Sequence, residues 1–356
     1  MKSELGKIAI LGSGETSPNL VGVHRELLEG KASSNCFMID SPFGFQENAD
    51  QLVEKIQDFY KTSLNIEINL ASFRKIEELN SKSFFKTIQL LESASFIFAG
   101  PGSPSYASKL WSDNQIQSIL LNHISEGKNA LFASAAATTL GENTLPVYEI
   151  YKVGKDPFWE KGINILNAYG LSCSIVPHFN NKEGGNHDTS YSYVGKNRIE
   201  KLLKQSYSNI LGIDEHTAVI FSGKEGQFQV KGIGKLTVIN KKGVHQFDNG
   251  TTEELSILQD LLKSDNKNEE NQKEILENES QDTIYLKQIA KLEIEVENNK
   301  NNNERFSQIV GELISLRRKL REEKNYELSD TIRNILESCN LQIEDNGNDI
   351  KWSILD

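Results

Sequence analysis

The segment 129–154, NALFASAAATTLGENTLPVYEIYKVG, decides how the chain is read. An apolar run, 130–133, leads into Ser134, and three alanines and two threonines follow with no charge before Glu142. A buried strand that runs directly into small residues is a strand-to-helix turn. A serine at its tip has two available uses. Its Oγ can stand clear as a nucleophile, with the N–H of Ala135 turned into the same space, or it can N-cap a closely packed helix. The stretch alone leaves both open, and the rest of the chain has to decide.

Working outward, KIAIL (7–11), CFMID (36–40), IEINL (66–70), SFIFAG (95–100) and NALFAS (129–134) read as short buried strands. Amphipathic stretches lie between them, such as 47–60, where Ala49, Leu52, Val53, Ile56 and Phe59 recur at helical spacing. Alternation of this kind predicts an α/β fold with a mainly parallel sheet and flanking helices. Ligands of such sheets collect at the carboxyl ends of the strands. Those ends carry four Gly-, Ser- and Pro-rich loops: 12–19, 40–45, 100–105 and 134–139. From 209 to 247 short β-type runs separated by glycine turns predict late antiparallel strands. A helix over 251–264, capped by Thr251 or Thr252, is expected to close the domain.

The domain expectation is therefore 1–264 for the α/β domain, 265–283 for a polar linker and 284–356 for a small helical module. The linker is charged and poor in aromatics. The module begins with a helical stretch ending at the asparagine-rich 298–303. Two amphipathic helices follow, and then a hairpin with the turn DNGND.

Composition narrows the functional classes. The 356 residues carry a formal charge of −11, which argues against bulk electrostatic capture of nucleic acid or anionic membrane. Cys36, Cys173 and Cys339 are far apart and form no CxxC pair, the pattern of reduced thiols in a cytoplasmic protein. No apolar run approaches the roughly 20 residues of a membrane-spanning helix, and the N-terminal run is too short for a signal peptide. A soluble, cytoplasmic protein is expected.

A serine that transfers acyl groups needs a base, an orienter for that base and backbone donors for the oxyanion. Three histidines follow Ser134 in polar, loop-like surroundings: His178 in IVPHFNN, His187 in GGNHDTS and His216 in DEHTA. His178 ends a strand-like run and is the candidate base. Asp214 and Glu215, in GIDEHTAVIF, stand at a strand turn where a carboxylate can orient an imidazole. Gly102 in GPGSPS is the candidate second oxyanion donor beside Ala135. His187, Asp188 and Asn180 are expected to line the substrate. His178, His187, Asp188 and Asp214 match no common metal-ligand spacing, so no metal and no cofactor is expected. GSGETS lacks the lysine of a phosphate loop and reads as a structural turn.

Taken together, the GSGE loop, the GPGSP loop, the serine elbow, PHF and GIDEHTA resemble, over about residues 5–250, the serine peptidase family of aspartyl dipeptidase and cyanophycinase. That resemblance implies a flavodoxin-like sheet of the class I glutamine amidotransferase type. By position it implies Ser134 as nucleophile, His178 as base, Glu215 (with Asp214 as fallback) as third member, and Gly102 and Ala135 as the oxyanion hole. The substrate implied is a small peptide or isopeptide. The family elbow reads Gly-x-Ser-Ala-Gly-Ala, and here Phe132 and Ala136 stand at its glycines. The alternative expectation is a catalytically silent hydrolase-fold adaptor.

The tail, GELISLRRKLREEKNYELSDTIRNILESCNLQIEDNGNDIKWSI, resembles the end of bacterial cysteinyl-tRNA synthetases through Arg317, Arg321, Asp330, Arg333, Glu344, Asp345, Gly347 and Trp352. The resemblance implies tRNA contact, with Arg317, Arg318 and Arg321 as candidate residues. The synthetase catalytic signatures are absent, so aminoacylation is not expected. A protein-interaction or homodimerisation module is the other reading of the same helices, and Asp330–Arg333 reads equally as an intrahelical pair.

Overall fold

The computed structural model describes residues 5–263, 281–299, 303–339, 341–346 and 349–354. The expected linker lies outside them except for 281–283, and so do 300–302 of the asparagine-rich break and Gly347 and Asn348 of the expected hairpin turn. The chain divides into two compact units, Met1–Glu77 with Leu90–Asn268, and Glu78–Gln89 with Glu269–Asp356.

The first unit is built as the alternation predicts. Strands β1 (Lys7–Leu11), β2 (Cys36–Ile39), β3 (Asn69–Leu70), β4 (Phe96–Ala99) and β5 (Asn129–Ala133) alternate along the chain with helices α1 (Val21–Leu28), α2 (Ala49–Phe59), α3 (Lys82–Ser93, whose residues up to Gln89 belong to the second unit), α4 (Pro104–Trp111) and α5 (Gln115–Ser125). All five strands pair in parallel, in the order β1-β5-β4-β2-β3. The reason is visible in the residues: β2, β4 and the last four residues of β5 are buried throughout, the mark of strands covered on both faces. Ala9, Leu11, Leu131 and Ala133 join one core cluster with Leu20, Val23, Leu27, Val53 and Ile56 of the α1–α2 side. Phe132 alternates to the opposite face, where its ring meets Trp111 of α4 edge-on at 6.4 Å.

After β5 come α6 (Ala135–Thr139), β6 (Asn143–Thr144), α7 (Val147–Tyr151), β7 (Glu160–Lys161), β8 (Ser174–Val176) and α8 (Lys196–Gln205). The late strands are β9 (Ile210–Ile213), β10 (Thr217–Ser222), β11 (Gln227–Gly232), β12 (Lys235–Asn240), β13 (Gly243–Asp248) and β14 (Thr252–Glu254). β10, β11 and β14 extend the main sheet antiparallel from β1, and a second sheet has the order β13-β12-β9-β8. The expected closing helix is shorter than its sequence suggests: α9 covers Leu255–Leu262 with Glu254 at its N-cap. Thr252–Glu254 instead pairs with Gln227–Gln229, because the open edge of β11 takes up the backbone groups of a β-branched start.

In the second unit, α10 (Gln281–Asn298), α11 (Asn303–Glu322) and α12 (Tyr326–Ser338) precede the hairpin β15 (Leu341–Asn346) and β16 (Asp349–Ile354). Leu292, Val296, Ile309, Leu313, Leu320, Ile332 and Leu336 form its core. The stretch 78–89 joins α10 within this unit through Lys82–Glu293 at 3.0 Å, Lys86–Glu297 at 3.2 Å and a bond from Gln89 Nε2 to the Lys287 carbonyl. No helix among the described residues is long and apolar enough to cross a membrane.

Candidate active site

Ser134 sits between β5 and α6 with φ 51° and ψ −114°, backbone space that residues with a side chain seldom enter. Neighbouring chain ends hold it there: Ser134 N–H donates to the Leu11 carbonyl at 3.1 Å and Ala136 N–H to the Gly100 carbonyl at 3.3 Å. The elbow is thus clamped between the ends of β1 and β4. Phe132 does not obstruct it. The side chain leaves the sheet two residues earlier and is 1 % exposed in the α4 face, so the turn forms with a large residue at this position.

The loop after β4 presses on the loop after β2. Gly102 has φ +148°, and a Cβ there would lie 1.9 Å from the Pro42 carbonyl oxygen, so only glycine fits. The 40–45 loop is itself fixed by Asp40, which is wholly buried and accepts from Ser72 Oγ, Phe73 N–H and Arg74 Nε. Ala135, as the first residue of α6, carries an N–H outside the helix's own hydrogen-bond ladder.

His178 follows β8 with φ 47°, its N–H bonded to the Gly12 carbonyl at 3.2 Å. Its Nε2 lies 2.8 Å from Ser134 Oγ, and its Nδ1 lies 3.1 Å from Glu215 Oε1. A carboxylate only accepts, so the proton of the neutral ring belongs on Nδ1, which leaves Nε2 free to accept from the serine. The hydrogen bond from His178 holds the Glu215 carboxyl below its ordinary range; partial burial opposes this, and a bond from Asn181 adds to it.

The remaining sequence candidates fall elsewhere. Asp214 is buried and turned to β12, where its Oδ2 accepts from Lys235 N–H at 3.1 Å; burial raises its carboxyl. Asn180 is exposed, and its Oδ1 accepts from Glu215 N–H at 2.9 Å, holding the backbone of the carboxylate turn. Asp188 organises its own loop by accepting from Ser190 N–H and Oγ and from Lys196 N–H at the start of α8. The exposed His187 stacks on Tyr151, centroids 6.1 Å apart. Among the described residues no group of three His, Cys, Asp or Glu is placed to hold a metal ion. The 12–19 loop acts as a brace: Ser17 Oγ lies 3.0 Å from His216 Nδ1, and Ser13 Oγ accepts from His216 N–H.

Three features carry no clear sequence signal. Asn181, 1 % exposed, donates to Glu215 Oε1 at 2.7 Å. Tyr191, Ser192 and Tyr193 form a left-handed turn, with φ of 57°, 57° and 67°. Such backbone costs about 1–2 kcal/mol per residue, offset here by Ser192 Oγ donating to the Pro177 carbonyl and by the Phe179–Tyr191 ring contact at 4.5 Å. A cavity of about 550 Å³ is lined by Ser103, Ser105, Tyr106, Tyr148, Glu149 and Glu160. Ser103 belongs to the loop beside the elbow, and burial, reinforced by Glu149, raises the Glu160 carboxyl.

In the second unit Arg317 is wholly buried, so in this arrangement it presents no charge to a phosphate, whereas Arg318 and Arg321 are exposed. The Arg321 guanidinium lies 5.9 Å over the Tyr326 ring. Arg333 pairs with Glu337 at 3.3 Å, one turn further along the helix, and not with Asp330 as the sequence spacing offered.

No family model matches the chain. No curated protein matches it. Among solved structures it is similar to a peptidase from an acI-B1 Actinobacterium, with TM-score 0.58 and 18 % identity over 71 % of this chain and 98 % of that one. It is also similar to a structure named Putative Peptidase E Protein from Listeria monocytogenes EGD-e, with TM-score 0.42 and 15 % identity over 65 % of this chain and 100 % of that one. The likeness to the actinobacterial peptidase is one of fold: the mainly parallel sheet, flanking helices and late antiparallel strands are shared by a protein of that name.

Proposed function

We propose that the protein is a serine-type peptidase or amide hydrolase of the aspartyl dipeptidase and cyanophycinase type, acting through an acyl-enzyme on a small peptide or isopeptide. The observation that carries this reading is the chain of contacts from Ser134 Oγ to His178 Nε2 at 2.8 Å and from His178 Nδ1 to Glu215 Oε1 at 3.1 Å. A serine held at φ 51° at the mouth of a strand is a costly feature for a helix cap alone, and its side chain makes no cap bond.

In the proposed reaction His178 takes the Ser134 proton as Oγ attacks the carbonyl carbon, and returns it to the leaving amine as the C–N bond breaks. Water, deprotonated by the same imidazole, then cleaves the ester and regenerates the serine. Glu215 holds the ring in the required tautomer and stabilises the imidazolium. Ala135 N–H and Gly102 N–H are the proposed donors to the oxyanion. A library of dipeptides and isopeptides, assayed for released amine, tests the class. Turnover by wild type that disappears in Ser134→Ala supports it. Turnover that persists in that variant removes Ser134 as the nucleophile, and none with any member favours the silent adaptor.

A further inference from the structure

We propose that Asn181 is the positioning residue of this site, acting through Glu215 to hold the carboxylate against the His178 ring. The inference rests on the serine-hydrolase reading and extends it to a residue outside the Ser134–His178–Glu215 chain.

The two neighbouring asparagines divide the task. Asn180 Oδ1 accepts from the Glu215 backbone N–H at 2.9 Å and so places the turn. Asn181 Nδ2 donates to Glu215 Oε1 at 2.7 Å, the same oxygen that faces His178 Nδ1 at 3.1 Å. A glutamate side chain has three rotatable bonds, and one histidine contact does not fix them. A second donor on the shared oxygen does.

Asn181 is itself immobilised. It is 1 % exposed, its N–H donates to the His178 carbonyl, and its Oδ1 accepts from Glu183 N–H at 3.1 Å. Glu183 Oε2 accepts from Tyr193 OH at 2.8 Å, and the Tyr193 ring packs on the His178 ring with centroids 5.7 Å apart. The contacts therefore close a ring from His178 through Glu215, Asn181, Glu183 and Tyr193 back to His178. The left-handed turn serves the same ring, because Ser192 N–H donates to the His178 carbonyl while the ring of the next residue packs against the imidazole, tilted by 50°. The other charged or titratable groups about Glu215 are His216, next in sequence and braced by Ser17, and Asp214, engaged by Lys235 N–H.

Asn181 can be tested without knowing the substrate. The rate of covalent labelling by a fluorophosphonate is measured against pH for the full-length wild type, N181L and N181D, with folding monitored by thermal unfolding. N181L removes the donor and is expected to lower the labelling rate about 10- to 100-fold, the loss typical of one hydrogen bond to a charged group. N181D keeps the shape. At neutral pH its carboxylate faces Glu215 without a donor and labelling falls comparably. As pH drops the two carboxyls share a proton, an O–H takes the place of the amide N–H, and the rate relative to wild type climbs. A merely structural asparagine gives no such climb. A ratio that stays flat with pH, or both variants labelling within about twofold of wild type, overturns the proposal while leaving the serine-hydrolase reading intact. A wild type that does not label overturns both.

Discussion

The proposed nucleophile and the proposed base and orienter of the site are held by different means. Ser134 is placed by backbone: a strand end, a short helix of small residues, and two main-chain bonds to the ends of neighbouring strands. The His178 backbone is also held by main-chain bonds, to Gly12, Asn181 and Ser192, but its ring and the Glu215 carboxylate are placed by side chains in loops, through Asn181, Glu183 and Tyr193. A backbone-built site inherits the rigidity of the sheet. A side-chain-built site is only as precise as its least well-held member, so the base side is where substitutions at a distance are expected to alter chemistry.

The largest effects should come from the reacting atoms. Ser134→Ala and His178→Ala are each expected to lower turnover by about 10⁴-fold or more, measured as kcat on the best library peptide. Replacing the orienter, Glu215→Gln, keeps the shape and loses the charge that fixes the tautomer. The expected loss is about 10³- to 10⁴-fold in kcat with little change in KM. Equal losses in both parameters would mean that Glu215 binds substrate, and the contrast between the two sides would fail.

Phe132→Gly, which puts glycine where the resembled peptidase family carries one, sharpens the comparison from the other side. The Phe132 ring is buried against Trp111, so the change should cost at least about 3–5 kcal/mol of stability in denaturant titration. No gain in turnover is expected, because the elbow is already formed. The smallest effect concerns acid. Glu215 is held below its ordinary carboxylate range, so its contribution to stability is present above the unfolded value and is lost as pH falls through the folded one. Wild type and Glu215→Gln should therefore differ in thermal stability near neutrality and converge on acidification.

The same contrast explains what was legible in the sequence. The parallel strands and their order along the chain could be read because β2, β4 and most of β5 are buried on both faces and so appear as unbroken apolar runs. Ser134 was noticeable because Ala135, Ala136 and Ala137 follow a strand without a charge. Asn181 and the 191–193 turn were not, since an asparagine in a polar loop and a Tyr-Ser-Tyr run carry no periodicity, and a left-handed turn of non-glycine residues contradicts local preference. The preference for Glu215 over Asp214 came from the family resemblance, and the residues alone left it open. Adjacent residues on a strand turn point in opposite directions, and only the pairing with Lys235 shows which carboxylate faces β12. The inclusion of 78–89 in the second compact unit left no trace either, because Lys82 and Lys86 look like any solvated helix face.

The most direct test of the account is to treat the full-length protein with a fluorophosphonate and locate the adduct by peptide mass mapping, in wild type and in His178→Ala. The account predicts a single phosphonylated residue, Ser134, formed in wild type and almost absent in the variant. A folded wild type that stays unmodified, or an adduct on another residue, would contradict it.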